Sequence, residues 1–229
     1  MIKDNIKKVL EKLPLGVELV TVIKGRSIED VLTAIDGGAK ILGINYIRDI
    51  NRLFSIIGRR VGWHYIGIAR LEKHDLLRRR YLEILDMIET VDSIELAKDI
   101  DERCSSMGKV MPLLIEVNIS MEPQKSGVHP DNLEYIIREI SQLRYVKIMG
   151  LMTMGPLVDN PEKLRPYFRK MKQLFNYMRS LAIPNVEMTY LSMGMSDSYQ
   201  IAIEEGANIV RVGTRIFLTD EEDKLQRGS

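Results

Sequence analysis

A lysine follows directly on an apolar run near the start of the chain: Lys24 comes immediately after Leu19–Ile23. Apolar surroundings disfavour the charged form of an amine, and a neutral amine is a nucleophile toward aldehydes. The alternative is an ordinary surface lysine in a loop, which is where most lysines are found. Lys24 is therefore a candidate for covalent binding of a carbonyl compound, and the loop alternative stays open.

Two later segments carry the small and hydroxyl-bearing residues from which anion sites are built. The first is Ser192-Met193-Gly194-Met195-Ser196-Asp197, which precedes a predicted helix, and the second is Gly213-Thr214. Unpaired N–H groups at the start of a helix and the helix dipole both favour negative charge. The two segments predict a phosphate site, with ordinary turn and capping chemistry as the alternative.

Two further polar residues interrupt apolar runs. Arg211 lies between two valines, and because a buried arginine is rare without a partner, we expect it to hold a ligand. His64 is flanked by aromatic residues, and neither a catalytic triad nor a set of metal ligands lies nearby in the sequence. We therefore expect His64 to be a core histidine with a satisfied hydrogen bond, and we expect no metal site.

The charge balance limits the classes of partner. The chain has 33 Lys and Arg against 32 Asp and Glu, a formal net charge of +1. Proteins that bind nucleic acids or anionic membranes need a cationic excess, so neither partner is expected. The longest uncharged stretch, Ile148–Val158, is too short to span a bilayer as a helix.

The cysteine content and the N-terminus indicate a compartment. Cys104 is the single cysteine, which excludes an internal disulfide and a metal site of the CxxC kind. The N-terminus mixes both charges and has no apolar segment of the secretory kind, so no signal peptide is expected. These features predict a cytoplasmic protein in a reducing environment.

Eight short apolar runs, rich in Val and Ile, alternate with amphipathic stretches such as Ser27–Asp36 and Ser196–Glu205. Runs of this kind suit strands that are buried on both faces. They are Glu18–Ile23, Lys40–Asn45, Gly62–Gly67, Met87–Val91, Pro112–Ile119, Val146–Thr153, Val186–Leu191 and Asn208–Gly213.

Eight strand–helix units in 229 residues average about 29 residues each, close to one compact βα repeat. Strands that alternate with helices imply a parallel sheet, and eight units imply a closed (β/α)8 TIM barrel. A doubly wound open sheet is the alternative. No linker interrupts the pattern, so residues 1–229 are predicted to form a single domain with its functional residues at the carboxyl ends of the strands.

The polar residues at the strand ends form a recognisable series. The series consists of Lys24, Gly43-x-Asn45-Tyr46, Trp63-His64-Tyr65-Ile66-Gly67, Val117-Asn118-Ile119, Lys125-Ser126-Gly127, Gly150-Leu151-Met152-Thr153, Leu191–Asp197 and Arg211–Phe217. In order and spacing these residues resemble the pyridoxal phosphate homeostasis proteins (the YggS/PROSC type), which are similar to the barrel domain of alanine racemase standing alone.

The resemblance implies a fold type III barrel that holds pyridoxal 5′-phosphate (PLP) as a Schiff base on Lys24. It places Asn45 beside the cofactor and Arg211 opposite the pyridine nitrogen. It also implies a role in intracellular PLP homeostasis, through buffering of the cofactor and its delivery to apo PLP-dependent enzymes. The protein is expected to act as a monomer.

The resemblance also assigns the phosphate end of the cofactor. It implies contacts from Ser192 and from the amides and hydroxyl of Gly213-Thr214, with Met193 and Gly194 shaping the cradle. The anion site read from the residues and the phosphate site of the family therefore fall on the same two segments.

The chain departs from the family pattern at three places. Where the family usually has Gly-Glu-Asn-Tyr, the chain has Gly43-Ile44-Asn45-Tyr46 and lacks the carboxylate. The family usually follows Ile-Gly with His-Leu-Gln-x-Asn-Lys, whereas Ile68–Glu72 followed by Lys73 stands here and keeps only the lysine. Ile23 occupies a position where serine is common. These departures put the polar contacts above the cofactor in question.

Two arguments favour binding over turnover. An arginine at the pyridine nitrogen can only donate, so the ring nitrogen stays unprotonated and the ring is a weaker electron sink. Racemisation needs a second acid–base group, which alanine racemase takes from another domain and subunit, and few residues follow Phe217. A non-enzymatic protein is expected, with a weak PLP-dependent racemase or transaminase, or a sugar-phosphate barrel enzyme without PLP, as alternatives.

Overall fold

Eight parallel strands close into a barrel in which each strand pairs with the next and the last pairs with the first. The computed structural model describes residues 1–218. Each strand coincides with one predicted apolar run, which confirms the (β/α)8 barrel and excludes the open doubly wound sheet. The strands are β1 (Glu18–Val22), β2 (Ile41–Ile44), β3 (Gly62–Tyr65), β4 (Met87–Val91), β5 (Met111–Glu116), β6 (Val146–Met152), β7 (Val186–Ser192) and β8 (Ile209–Val212).

Helices follow the strands around the outside of the barrel. The described residues contain α1 (Ile2–Leu10), α2 (Ile28–Asp36), α3 (Ile47–Ile57), α4 (Ala69–Leu76), α5 (Arg79–Ile84), α6 (Ile94–Ser105), α7 (Leu133–Ile140), α8 (Arg165–Ser180), α9 (Tyr199–Glu204) and α10 (Thr214–Phe217), with 3₁₀ turns at Pro130–Asn132 and Pro161–Leu164. Ser27 begins α2 as an N-cap, since its hydroxyl accepts the Asp30 N–H at 3.0 Å. In the described part of the chain, no helix combines the length and apolarity needed to cross a bilayer.

The strands are apolar throughout because both of their faces are buried. All five residues of β4 are buried, and the outer faces of the strands join the helices in one hydrophobic core. A smaller cluster, made of Val20, Met87, Leu114, Met152 and Ile209, packs together from five different strands. Filling of this kind gives the barrel a solid centre and confines open space to its mouth.

The carboxyl ends of the strands bring distant parts of the sequence to one face. Lys24 follows β1, Asn45 follows β2, Thr153 follows β6 and Gly213 follows β8. Strands β1 and β8 are paired directly, with Thr21 opposite Val212. Closure of the barrel therefore places the first and the last candidate segments side by side.

Candidate functional site

A cavity of about 300 Å³ opens at the carboxyl end of the barrel, large enough for a small ligand. It gathers five of the predicted site residues, while Ser192, Met193 and Gly194 lie outside its lining. The residues that line it are Val22, Lys24, Arg26, Asn45, Ile66, Met154, Met195, Ser196, Arg211, Gly213 and Thr214.

Lys24 stands two residues beyond β1 at the edge of this cavity. The side chain is exposed, in contrast to the apolar surroundings expected from the sequence. Its Nζ lies 5.7 Å from the ring centroid of Tyr46, a distance at which an ammonium is attracted to the ring face. Tyr46 is the N-cap of α3, so the end of β2 fixes the ring against which the lysine lies.

Asn45 contributes an unsatisfied polar group to the wall. Its side-chain oxygen is buried and has no hydrogen-bond partner among residues 1–218. A buried amide without a partner costs free energy, and a ligand that supplies the missing bond recovers it. Asn45 is therefore placed to bond a polar atom of a molecule in the cavity.

Arg211 reaches the cavity from inside the barrel. The residue is 3% exposed, and its guanidinium donates to Ser192 Oγ at 2.6 Å and to the Thr153 carbonyl at 2.8 Å. A third contact runs to Met154 Sδ at 3.4 Å. These bonds fix the plane of the guanidinium. The orientation of its N–H groups toward the cavity is therefore fixed before a ligand binds.

Glu89, in the middle of β4, supplies the negative charge that Arg211 needs. It is fully buried, accepts from Ser192 Oγ at 2.6 Å and is bonded to His64 Nδ1 at 2.7 Å. Burial opposes ionisation, but the His64 bond, the charges of His64 and Arg211 and the Ser192 hydroxyl outweigh it and hold the pKa of Glu89 below its ordinary value. The expectation of a hydrogen-bonded core histidine at His64 is confirmed.

The position of Ser192 differs from the one expected of a phosphate ligand. Its hydroxyl is fully buried and already bridges Glu89 and Arg211, so it donates to one and accepts from the other. Sequence reasoning overlooked Glu89, although a signal was present: it is the one charged residue in the apolar run Met87–Val91. A charge in such a run indicates a buried partner of opposite sign.

Ser196 lies where the hydroxyl of an anion site is expected. Its Oγ accepts from the Gly213 N–H at 3.3 Å and from the Arg215 N–H at 3.4 Å, and both Ser196 and Thr214 line the cavity. The two long bonds show that the N–H groups after β8 converge on one oxygen. Because the Ser196 oxygen accepts both bonds, its own O–H is the group that can donate to an anion in the cavity.

Met193 and Gly194 do not line the cavity, but they belong to the turn that carries Ser196. Met193 is fully buried in the core. Gly194 has φ +89°, and a Cβ at this position would lie 2.5 Å from the Cβ of Ala202, so only glycine lets the turn pass so close to α9. The Gly194 carbonyl accepts the Arg211 N–H at 3.0 Å and ties the turn to β8.

The charges around the cavity have one sign. Lys24, Arg26 and Arg211 line it, and no aspartate, glutamate or histidine is among the described residues of the lining. Glu89 balances the Arg211 charge from below the cavity, so at such short range it is mainly Lys24 and Arg26 whose positive charges attract an anion. The lining therefore favours a small anionic ligand that also presents a group reactive toward, or bonded by, an amine.

The segment Ile68–Glu72, where the chain departs from the family pattern, supports the site from the side. The Glu72 carboxylate accepts the Ile47 N–H at 3.0 Å and the Tyr65 hydroxyl at 3.3 Å, and so satisfies the start of α3. Lys73 pairs with Asp99 on α6, outside the cavity. The contacts of this segment are therefore structural, apart from those of Ile68 and Arg70, which line an adjoining cavity.

We expect Glu89→Gln to destabilise the fold. The amide keeps the shape of the carboxylate but leaves the Arg211 charge buried and uncompensated, which costs about 3 kcal/mol of the free energy of unfolding. Urea denaturation near neutral pH measures it. Glu187→Gln is the control, because it breaks an exposed pair with Lys147 worth less than about 1 kcal/mol. Equal losses for the two variants would contradict the assigned role of Glu89.

The chain has relatives among characterised proteins. The model of the alanine racemase N-terminal domain family matches residues 1–221. The pyridoxal phosphate homeostasis protein of Aquifex aeolicus is 37% identical over 181 residues, which is 79% of this chain and 77% of that protein. The protein of the same name from Haemophilus influenzae is 31% identical and covers 88% of this chain and 84% of its own length.

Solved structures agree with these matches. PipY of Synechococcus elongatus, in a structure with PLP bound, is similar with a TM-score of 0.86 at 27% identity, over 95% of this chain and all of PipY. The alanine racemase of Clostridium difficile shares the fold, with a TM-score of 0.75 at 16% identity, and this chain covers 61% of it. This chain belongs to the alanine racemase N-terminal domain family and, within it, to the pyridoxal phosphate homeostasis proteins.

Proposed function

We propose that this protein binds PLP in the Lys24 cavity and acts in intracellular PLP homeostasis, by retaining and delivering the cofactor without efficient turnover. One observation carries the proposal: a single cavity is lined both by a lysine amine and by a hydroxyl–amide cradle suited to phosphate. The names of the relatives and the PLP-bound structure of PipY support it.

The residues present fit this cofactor. PLP carries an aldehyde, a ring hydroxyl and a phosphate, and the cavity offers an amine, an unpartnered side-chain oxygen at Asn45 and the positive charges of Lys24 and Arg26. No carboxylate among the described lining residues would repel the phosphate. The cavity volume of about 300 Å³ also suits a molecule of this size.

The proposed roles follow from these positions. Lys24 holds the aldehyde carbon as a Schiff base, and Asn45 bonds a polar substituent of the ring. Ser196, Gly213 and Thr214 hold the phosphate. In this assignment Ser196 takes the direct contact that the family resemblance gives to Ser192, because the Ser192 hydroxyl is already bonded on both sides.

Arg211 and the composition of the lining argue for retention. Bound PLP supplies an electrophilic carbon and a ring that can accept electron density. Arg211 is a donor only, so at the ring nitrogen it favours the unprotonated ring, the weaker acceptor. Among the described lining residues, Lys24 is the single side chain of a type that serves as a general acid or base, and racemisation needs two such groups.

The partners proposed for this activity are PLP itself and apo PLP-dependent enzymes that receive it. The exposed position of Lys24 supports delivery, since an amine at the open edge of the cavity leaves the bound carbonyl carbon accessible to a competing amine. A monomer in the cytoplasm, as predicted from the sequence, completes the proposal.

Lys24→Ala should abolish the covalent adduct that borohydride fixes after incubation with PLP, because no amine then reaches the aldehyde. Intact-protein and peptide mass spectrometry measure it. Lys125→Ala is the matched control: its ammonium is paired with Glu122 at 2.6 Å and donates to the Gly155 carbonyl, and it lies outside the lining of the Lys24 cavity. An adduct that persists in Lys24→Ala, or disappears in Lys125→Ala, would contradict the proposal. Absence of any adduct in the parent protein would favour a sugar-phosphate enzyme.

Ser196→Ala should weaken PLP binding about tenfold, the loss expected for one hydrogen bond to a charged group. Absorbance titration measures the dissociation constant. Pyridoxal, which lacks the phosphate, should bind parent and variant alike. Ser192→Ala should instead lower the unfolding temperature with a smaller change in PLP affinity. The reverse pattern would restore the phosphate contact to Ser192.

The PLP-loaded protein should exchange the α-proton of amino acids no faster than free PLP at the same concentration, because the described cavity lining offers a single proton-transfer group. Proton NMR in deuterium oxide with a panel of L- and D-amino acids measures the rate, with denatured protein as the control. Exchange well above free PLP for any member of the panel would identify a weak racemase or transaminase.

A further inference from the structure

A second cavity of about 370 Å³ lies next to the Lys24 cavity at the barrel mouth. The two share three lining residues: Asn45, Ile66 and Met154. Much of the wall of the second cavity is apolar. It is formed by Ile66, Ile68, Val117, Ile119, Met152 and Met154.

Two buried polar side chains of this cavity have unused bonding capacity. Glu116, the last residue of β5, is 7% exposed; its carboxylate accepts no hydrogen bond from the other described residues, and its oxygens open to the cavity that it lines. Thr90, on β4, is 3% exposed, and within residues 1–218 its hydroxyl oxygen has no partner. The Thr90 hydroxyl buried in this way costs free energy unless another molecule bonds it, and the Glu116 carboxylate can accept from a donor in the same cavity.

The charges that face Glu116 come from three elements and differ in sign. Burial, together with the charge of Asp92 after β4, raises the pKa of Glu116 to about 7, while Arg211 on β8 and Arg70 on α4 oppose the shift. No ion pair with Glu116 forms within the described chain. Lys125, at the rim of the cavity, is held by Glu122 and by the Gly155 carbonyl.

We propose that this cavity binds a small primary amine, whose ammonium group bonds Glu116 and Thr90 and whose aliphatic part packs on the apolar wall. An ammonium supplies donors for both unsatisfied oxygens and a positive charge for the carboxylate. A simple anion would instead be repelled by the Glu116 carboxylate, because it brings no positive charge to pair with it. A plain alkylamine and an aliphatic amino acid share this chemistry, and in an amino acid the carboxylate would face Arg70.

The proposal stands apart from PLP binding, because it concerns different oxygens in a different cavity. The proposed amine site nevertheless adjoins the Lys24 cavity, because Asn45 and Ile66 line both cavities. An amine bound there would be separated from the Lys24 cavity by these side chains. Binding is therefore tested on the full chain stripped of carbonyl compounds by hydroxylamine and dialysis, so that failure of PLP binding and failure of amine binding are separate results.

Isothermal titration calorimetry at about pH 8, where a primary amine is still protonated, tests three small aliphatic ligands. Butylamine and norvaline carry the ammonium, and butyrate carries the carboxylate alone. Binding of butylamine supports the proposal. Binding of norvaline alone also supports it and assigns the amino-acid class, provided that Arg70→Gln removes it. Binding of butyrate alone, or of none of the three, overturns it.

Variants locate the site. Glu116→Gln keeps the shape of the side chain, removes the charge and should weaken amine binding at least about tenfold. Thr90→Val should weaken it a few-fold. Glu139→Gln, the same change at an exposed position on α7, should leave it unchanged. Circular dichroism checks that each variant is folded. Equal affinity of Glu116→Gln and the parent protein overturns the proposal.

The pH dependence separates an ionic contact from a merely structural one. Because Glu116 must be ionised to pair with the ammonium, affinity in the parent should rise about tenfold between about pH 6 and pH 8, as the carboxyl loses its proton near pH 7. The rise should vanish in Glu116→Gln. A rise of the same size in that variant contradicts the assignment to Glu116.

Discussion

Burial of the Arg211 charge inside the barrel is the constraint on which the rest of the site depends. A guanidinium that is 3% exposed requires a counter-charge and acceptors for its donors. Glu89 supplies the charge from β4, Ser192 bridges the two, and the Thr153 carbonyl takes another donor. Strand β4 is thereby joined across the barrel to the neighbouring strands β7 and β8 beneath the cavity, and the direction of the guanidinium is set before any ligand arrives.

This buried network separates two serines that lie four residues apart. Ser192 belongs to the network below the cavity, whereas Ser196 faces the N–H groups of Gly213 and Arg215 at its edge. The turn between them relies on Gly194, since a side chain there would collide with α9. The Ser-Met-Gly-Met-Ser segment therefore does two things: its first hydroxyl fixes the arginine, and its second accepts from the N–H groups that follow β8.

The sequence was sufficient to predict the fold and the proximity of Lys24 to Gly213-Thr214. Apolar runs buried on both faces mark parallel strands, and eight of them imply closure, which in turn brings these segments together. The direction in which individual side chains point could not be predicted. Ser192 is the last residue of a strand and points into the barrel, whereas Ser196 follows in a loop. In the sequence alone, the two serines look alike, since each is a hydroxyl residue shortly before a predicted helix. The roles of Glu89 and Glu116 depend on which face of a strand they occupy, and a continuous apolar run does not disclose that.

A crystal structure of the full chain soaked with PLP tests the central claim most directly. The account predicts continuous density from Lys24 Nζ to the cofactor carbon, with the phosphate beside Ser196, Gly213 and Thr214 and with the bonds between Glu89, Ser192 and Arg211 unchanged. A phosphate bonded to Ser192 in place of Arg211, or a cofactor lodged away from Lys24, would contradict it.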